Sequence, residues 1–217
     1  MKPFQEFPAH LKEKIRFVLA DIDDTLTQDG LLPSASLAAM ERLRDSGKAV
    51  IPVTGRPAGW CDHIARMWPV AAVVGENGAF FFRYDRTLRK MRRSYFKTVD
   101  EREADRRRLA EVKAEILAEV PGCAVSADQA FREADLAIDF CEDVPPLAPE
   151  AVARIVDLFE KAGARAKVSS IHVNGWFGAY DKLTMTRRLF REVFNEELEA
   201  IRERVIFIGD SPNDQPM

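Results

Sequence analysis

Short apolar runs alternate with amphipathic stretches along the first third of the chain. Residues 16–20 (RFVLA) and 49–53 (AVIPV) are apolar at nearly every position, which predicts buried strands. Each is followed by a polar loop and by a predicted helix, at 34–46 and at 58–67, and a third apolar run at 71–74 ends in another polar loop. Apolar strands separated by helices predict a parallel sheet covered on both faces. Ligands of such sheets bind beyond the carboxyl ends of the strands, where these loops lie.

The pattern changes after residue 84. It predicts strands at 90–96, 136–140, 165–169 and 171–176 and helices at 100–119 and 149–162. We therefore expect an α/β protein with a Rossmann-like core domain at 1–84 and 179–217 and an α+β domain inserted at 85–178. The core resumes with a helix at 181–197 and a strand at 204–208. Because a parallel strand needs a crossover to reach a further neighbour, we expect the natural domain to continue past Met217.

The charge and composition of the chain argue against nucleic acid and membranes as binding partners. With 32 basic and 35 acidic residues the net charge is −3, so we expect no broad cationic face for nucleic acid. The uncharged apolar runs are far shorter than the roughly 20 residues of a membrane span, and the first residues lack the pattern of a secretory signal, so we expect a cytoplasmic protein. The scattered Cys61, Cys123 and Cys141 predict neither a zinc site nor a disulfide framework.

Two acidic loops follow predicted core strands. Asp21, Asp23 and Asp24 lie within five residues after the first strand, and crowding three carboxylates there is costly unless a cation offsets them. Mg²⁺ prefers such hard oxygen ligands and keeps several waters. The second loop, residues 209–214 (GDSPND), follows the last strand; alone it is equally typical of a turn, but together with the first loop it predicts a metal site.

Two further polar elements have the same placement. Residues 54–56 (TGR) come directly after the second strand, and Lys182 stands between the inserted domain and the last core strand. The motifs DIDDT, TGR, the lysine and GDSPND thus occur in this order along the chain. With them the chain resembles the haloacid dehalogenase superfamily of phosphatases, in the branch with a large α/β cap (type IIB). That branch includes sucrose-phosphate, trehalose-phosphate, mannosyl-phosphoglycerate and Cof-type sugar phosphatases.

The resemblance implies an activity on a small-molecule phosphate ester and a role for each matching residue. It makes Asp21 the nucleophile and Asp23 the general acid and base, while Thr54 hydrogen-bonds the transferring phosphoryl group and Lys182 completes the catalytic set. It also implies Mg²⁺, with Asp21, Asp23 and Asp210 as ligands. The supporting residues are Thr25, Ser211, Asn213 and Asp214, the last of which orients Lys182 or a metal-bound water.

The chemistry of these residue types agrees with that assignment. An aspartate is ionised at neutral pH, so its attack on phosphorus divides a hard hydrolysis into two displacements. A second carboxyl two residues on can protonate the leaving alcohol and then deprotonate the attacking water. Lys182, the Thr54 hydroxyl and a metal ion offset the negative charge of the phosphate. Lys182 taken alone is more typical of a solvated surface lysine, and its position between the inserted domain and the last core strand reverses that preference.

Substrate contacts are expected from Thr54, Gly55, Arg56, Asn77, Asn174 and Lys182. Two of these side chains have an equally simple alternative. Arg56 either contacts the substrate or pairs with a carboxylate, and Asn77 either touches substrate or serves as a turn residue. Asn174, with Arg132 and Ser169, is a candidate only because it lies in the cap.

Three functions remain open at this point. The first is a Mg²⁺-dependent phosphomonoester hydrolase acting on a phosphorylated sugar or similar metabolite. The second is a phosphosugar mutase, as in the phosphomannomutase relatives, which returns the phosphoryl group to sugar instead of water. The third is a non-catalytic phosphosugar-binding protein, which the presence of Asp21, Asp23, Thr54, Lys182 and Asp210 disfavours. The substrate and the oligomeric state stay open.

Overall fold

The computed structural model describes residues 6–210, 214, 216 and 217. The chain forms two compact units. The first comprises Met1–Arg56, Trp60–Phe96 and Tyr180–Met217, and the second comprises Pro57–Gly59 and Lys97–Ala179.

A parallel sheet lies at the centre of the first unit. Its strands are β1 (Phe17–Ala20), β2 (Ala49–Pro52), β3 (Val73–Gly75) and a last strand, Val205–Ile208. The order runs from the last strand through β1 to β2, with Phe17 opposite both Val205 and Ala49. A parallel bridge between Val53 and Val74 links β2 to β3. Helices α1 (Ala9–Lys14), α2 (Ser34–Asp45) and α3 (Ala58–Met67) belong to the same stretch of chain.

An antiparallel hairpin follows β3. Strands β4 (Phe80–Asp85) and β5 (Lys90–Tyr95) pair along their whole length, and β4 also pairs with β3. We expected the inserted domain to begin at residue 85. The structure instead groups residues 85–96 with the first unit, because the backbone hydrogen bonds of β5 are made to β4.

Aromatic packing closes the core of the first unit. The ring of Phe17 on β1 lies edge-on to Phe190 and Phe194, at centroid distances of 4.8 and 4.9 Å. The prediction of one continuous α-helix at 181–197 is wrong in its second half, because the α-helix ends at Leu189. A π-helical turn, Phe190–Phe194, brings both rings onto Phe17 and ends at Asn195, whose φ of 55° cannot continue a right-handed helix.

The second unit is an antiparallel sheet with two long helices. It contains α4 (Val99–Glu119), β6 (Ala124–Val125), β7 (Leu136–Asp139), α5 (Pro149–Lys161), β8 (Arg165–Val168) and β9 (His172–Trp176). The strand order is β6-β7-β9-β8, and Ile116, Ile138 and Phe159 are among the fully buried side chains of its apolar core. Thr98 and Glu101 form a reciprocal cap at the start of α4. Among the described residues no helix is both long and apolar enough to cross a membrane.

The chain then returns to the first unit, where it forms α6 (Lys182–Leu189) and the last strand of the parallel sheet, β10 (Val205–Ile208). The expected fold class, a parallel α/β core with an inserted α+β domain, is confirmed.

Candidate active site

Lys182 joins two acidic loops at one edge of the parallel sheet. The backbone N–H of Asp21 donates to Ile208 at 2.9 Å, which places Asp21 just beyond the carboxyl ends of β1 and β10. The ammonium of Lys182 lies 2.9 Å from Asp21 Oδ1 and 2.8 Å from Asp214 Oδ1. Three elements distant in sequence thus meet at a single cation.

Burial makes these charges interact strongly. The side chains of Asp21, Lys182 and Asp214 are 13%, 10% and 4% exposed. Burial raises the pKa of Asp21 above its ordinary value, and the neighbouring Asp214 and Asp23 add to that effect while Lys182 opposes it. Burial by itself would lower the pKa of Lys182, but Asp21 and Asp214 raise it overall, so this lysine stays charged and cannot serve as a base.

Asp23 is held by an arginine fork. Arg56 Nε lies 3.0 Å from both carboxylate oxygens of Asp23, and Arg56 Nη2 lies 2.6 Å from Asp23 Oδ1. The guanidinium also lies over the ring of Trp60, 4.5 Å from its centroid, which fixes its plane. Two roles were expected for Arg56, a substrate contact or a pairing with a carboxylate. The structure shows the pairing with a carboxylate.

The loop after β2 carries Thr54, whose side chain is fully buried. Its hydroxyl accepts a hydrogen bond from the Arg56 backbone N–H at 3.0 Å, and its own N–H donates to Val74 on β3 at 2.9 Å. The buried Asn77 donates from its backbone to the Thr54 carbonyl at 3.2 Å. Thr54, Gly55, Arg56 and Asn77 thus lie in contact with one another in the first unit.

Three carboxylates are placed to hold a divalent cation. Oxygens of Asp21, Asp210 and Asp214 lie within 4.8 Å of one another, and the hydroxyl of Thr25 donates to Asp210 Oδ1 at 3.0 Å. When ionised they carry three negative charges against the one positive charge of Lys182, an excess of two. In the described part of the chain, the buried Asp214 Oδ2 has no hydrogen-bond partner. Hard oxygen donors, the charge excess and this buried oxygen all fit Mg²⁺.

Some of the expected site residues lie elsewhere or outside the description. The carboxylate of Asp23 is engaged with Arg56 and is not part of the three-carboxylate cluster. Asn174 lies in the second unit, where it is buried and its amide donates to Asp135 Oδ2 at 3.2 Å. Arg132 is likewise paired with Asp128 and Asp135. Ser211 and Asn213 fall outside the described residues.

Sequence reasoning placed a polar loop after β3, with Asn77 as one candidate turn residue, but it did not predict the backbone conformation of this turn. Glu76, Asn77 and Gly78 all have positive φ, of 42°, 54° and 103°. Glu76 is fully buried, and its backbone N–H donates to the Arg56 carbonyl at 3.2 Å. The Asn-Gly pair was the only signal for such a turn in the sequence.

A family model described as haloacid dehalogenase-like hydrolase matches residues 18–103. This stretch contains Asp21, Asp23 and the whole loop from Thr54 to Arg56. This part of the chain is therefore similar to the haloacid dehalogenase-like hydrolases. The superfamily predicted from the four motifs is confirmed, and with it the prediction of a hydrolase. No curated protein sequence matches this hydrolase.

Solved structures share the fold at low sequence identity. One from Thermoplasma acidophilum has a TM-score of 0.72 at 20% identity, over 94% of this chain and 80% of its own. A haloacid dehalogenase-like hydrolase from Bacteroides thetaiotaomicron has a TM-score of 0.65 at 17% identity, over 94% and 84%. The sucrose-phosphatase from Synechocystis sp. PCC6803, solved with sucrose and phosphate, has a TM-score of 0.59 at 14% identity, over 92% and 77%.

Proposed function

We propose that this hydrolase is a Mg²⁺-dependent phosphomonoesterase that acts on a small phosphorylated metabolite, of the sugar phosphate class, through a phosphorylated Asp21. The observation that carries the proposal is the buried Lys182 ammonium held between Asp21 and Asp214 at the carboxyl edge of the sheet. One protein with the same fold, the sucrose-phosphatase solved with sucrose and phosphate, supports the substrate class.

In the first step a carboxylate oxygen of Asp21 attacks phosphorus and the bond from phosphorus to the ester oxygen breaks. The leaving oxygen takes a proton from the carboxyl of Asp23, which yields a free alcohol and an aspartyl-phosphate. Lys182 neutralises negative charge beside the nucleophile, which lets a phosphate dianion approach. Thr54, on the neighbouring loop, is the proposed donor to a phosphoryl oxygen.

In the second step a water molecule attacks the phosphorus of the aspartyl-phosphate. Asp23, now ionised, takes the proton from that water, and the bond from phosphorus to the Asp21 oxygen breaks. Inorganic phosphate leaves, Asp21 is a carboxylate again, and Asp23 is protonated for the next turnover. The fork from Arg56 to Asp23 supports this role because it fixes the direction in which that carboxyl points.

Asp21, Asp210 and Asp214 are the residues whose side chains would hold Mg²⁺. The carboxyl of Asp23, expected as a further ligand, is bound by Arg56 instead and is assigned here the role of acid and base. When bound, the ion would supply positive charge for the phosphoryl oxygens. Thr25 supports this arrangement by orienting Asp210.

Phosphate release from a generic aryl phosphate tests the proposal. We expect release with Mg²⁺ and its loss with EDTA; equal rates in the two conditions would contradict the metal requirement, and no release at all would contradict the activity. A panel of sugar phosphates then identifies the substrate. Incubation with a hexose 1-phosphate and a bisphosphate activator separates hydrolysis from mutase activity, since only a mutase yields the 6-phosphate isomer.

A further inference from the structure

The Glu76–Gly78 turn has a backbone that L-residues adopt only under constraint. Three consecutive residues have positive φ, and two of them, Glu76 and Asn77, are not glycine. Both are buried, at 0% and 6% exposure. Such conformations persist where the surrounding structure imposes them, and they are concentrated at functional sites. The surroundings of this turn therefore indicate what it does.

On one side the turn is bonded to the loop that carries Thr54. The Asn77 N–H donates to the Thr54 carbonyl and the Glu76 N–H donates to the Arg56 carbonyl, each at 3.2 Å. Between them, a methyl group built on Gly55 would lie 3.3 Å from the Asn77 amide. The turn and this loop are thus packed together along their backbones.

On the other side the turn lies against the start of α6. A methyl group built on Gly78 would lie 2.1 Å from the carbonyl oxygen of Asp181 and 2.9 Å from the backbone nitrogen of Lys182. These are backbone atoms, which cannot rotate away as the end of a side chain would. Asp181 also caps α6, since its carboxylate accepts from the Thr184 N–H at 2.7 Å. Gly78 therefore allows the first residues of α6 to lie directly on the turn.

We propose that the Glu76–Gly78 turn is a positioning element that sets the Lys182 ammonium against the Thr54 loop, and that Gly78 is its positioning residue. The inference rests on the proposed phosphatase function, since Lys182 and Thr54 are the catalytic groups that the turn positions relative to each other. The turn lies against both of their backbones, at the Thr54 carbonyl on one side and at Asp181 and the Lys182 nitrogen on the other. A displacement of about 1 Å in such an arrangement can cost about a hundredfold in rate.

The test compares Gly78→Ala with Gly47→Ala. Gly47 has a φ of 78° but nothing within 4 Å of its added methyl group, so it shares the backbone strain and lacks the collision. We expect kcat for aryl phosphate hydrolysis to fall at least about tenfold in Gly78→Ala, with KM nearly unchanged, and to stay near wild type in Gly47→Ala. Equal kcat in the two variants would overturn the proposal.

A second readout is independent of turnover. Lys182 is 10% exposed and paired with two carboxylates, so an amine-reactive reagent followed by peptide mass spectrometry should label it slowly in the wild type. We expect this protection to be lost in Gly78→Ala and kept in Gly47→Ala. If the wild type releases no phosphate, the proposed function fails while the labelling still decides the positioning role; unchanged labelling in Gly78→Ala contradicts that role alone.

A double-mutant cycle separates positioning from general destabilisation. If Gly78 acts through Lys182, the Gly78→Ala change should reduce kcat far less in a Lys182→Ala background than in the wild type; equal fold-losses in both backgrounds would contradict the proposal. Should thermal unfolding show that Gly78→Ala is not folded, Asn77→Val replaces it, because a β-branched residue resists the φ of 54°. Its control is Asn195→Val, at a φ of 55° outside the site, and Lys182 labelling must then increase only in Asn77→Val.

Discussion

The ammonium of Lys182 lies 2.9 Å from a carboxylate oxygen of Asp21, although 161 positions separate the two residues in sequence. The pair is mostly buried, and Asp214 completes it from the loop after β10. One lysine between two carboxylates leaves negative charge uncompensated, which a divalent cation would offset, and the same lysine can neutralise an incoming phosphate.

Replacing Lys182 by alanine should reduce kcat for phosphate release by about 10²–10³-fold, because the positive charge next to the nucleophile is lost. The remaining carboxylates then face each other without a counter-charge, so the pKa of Asp21 should rise further. Steady-state kinetics measures the loss. Lys161→Ala, which removes a lysine with a 60% exposed side chain in the second unit, is the control and should keep wild-type kcat.

Replacing Thr25 by valine should raise the Mg²⁺ concentration for half-maximal activity by about 10–100-fold, because Asp210 loses the hydroxyl that orients it. A Mg²⁺ titration of phosphate release measures this shift. Thr25→Ser keeps a hydroxyl and should restore most of the affinity. Equal half-saturation in the valine variant and the wild type would show that Asp210 needs no such support.

Replacing Arg56 by lysine keeps the positive charge but removes the planar fork on Asp23. We expect kcat to fall by about 10–10²-fold, less than the roughly 10²–10⁴-fold that a general acid–base group contributes, because Asp23 is still present but no longer points in one direction. An aryl phosphate with a very good leaving group needs little protonation, so its first step should be affected less than that of an alkyl phosphate. A uniform loss across both substrates would argue that Arg56 binds substrate instead.

The sequence sufficed to predict which loops meet. Asp21, Thr54 and the acidic loop at 209–214 each follow an apolar strand, and parallel strands bring such loops to one edge. The motif order then identified Lys182 as their cation. The placement of the loops depends only on strand direction, which local sequence encodes well, whereas the role of Lys182 was implied by the resemblance to the superfamily.

Other features depend on contacts that local sequence does not encode. The sequence left open whether Arg56 contacts the substrate or a carboxylate. Only the tertiary structure brings Asp23 and Trp60 to its side chain. The helical pattern at 181–197 gave no sign of the π-helical turn, whose two aromatic rings pack onto Phe17, a residue distant in sequence. Asn174 was expected to contact the substrate, but its side-chain amide donates a hydrogen bond to Asp135.

The stability of the second unit should depend on pH through Asp128. Burial tends to raise the pKa of this carboxyl, but Arg132 and Ser126 bind it and lower its pKa below the ordinary value. A lowered pKa in the folded state stabilises the protein above the unfolded pKa, and that stabilisation is lost as pH falls through the folded pKa. Asp128→Asn should therefore cost about 1–3 kcal/mol of unfolding free energy near neutral pH.

Urea unfolding measures this cost, and the difference from wild type should begin to shrink as the pH approaches the ordinary aspartate pKa of about 4. Asp157→Asn is the control, since its pairs with Arg154 and Lys161 lie on the surface and should contribute little. A difference that stays constant over the whole range would contradict the ionic origin of the effect.

The central claim is that Asp21 accepts the phosphoryl group. Rapid acid quenching during turnover of an aryl phosphate with Mg²⁺, followed by peptide mass spectrometry, should find a phosphoryl group on Asp21 in the wild type. The same peptide of Asp21→Asn should carry none, and this variant should release no phosphate. Undiminished phosphate release by Asp21→Asn, or a phosphoryl group on a different residue of the turning-over wild type, would contradict the account.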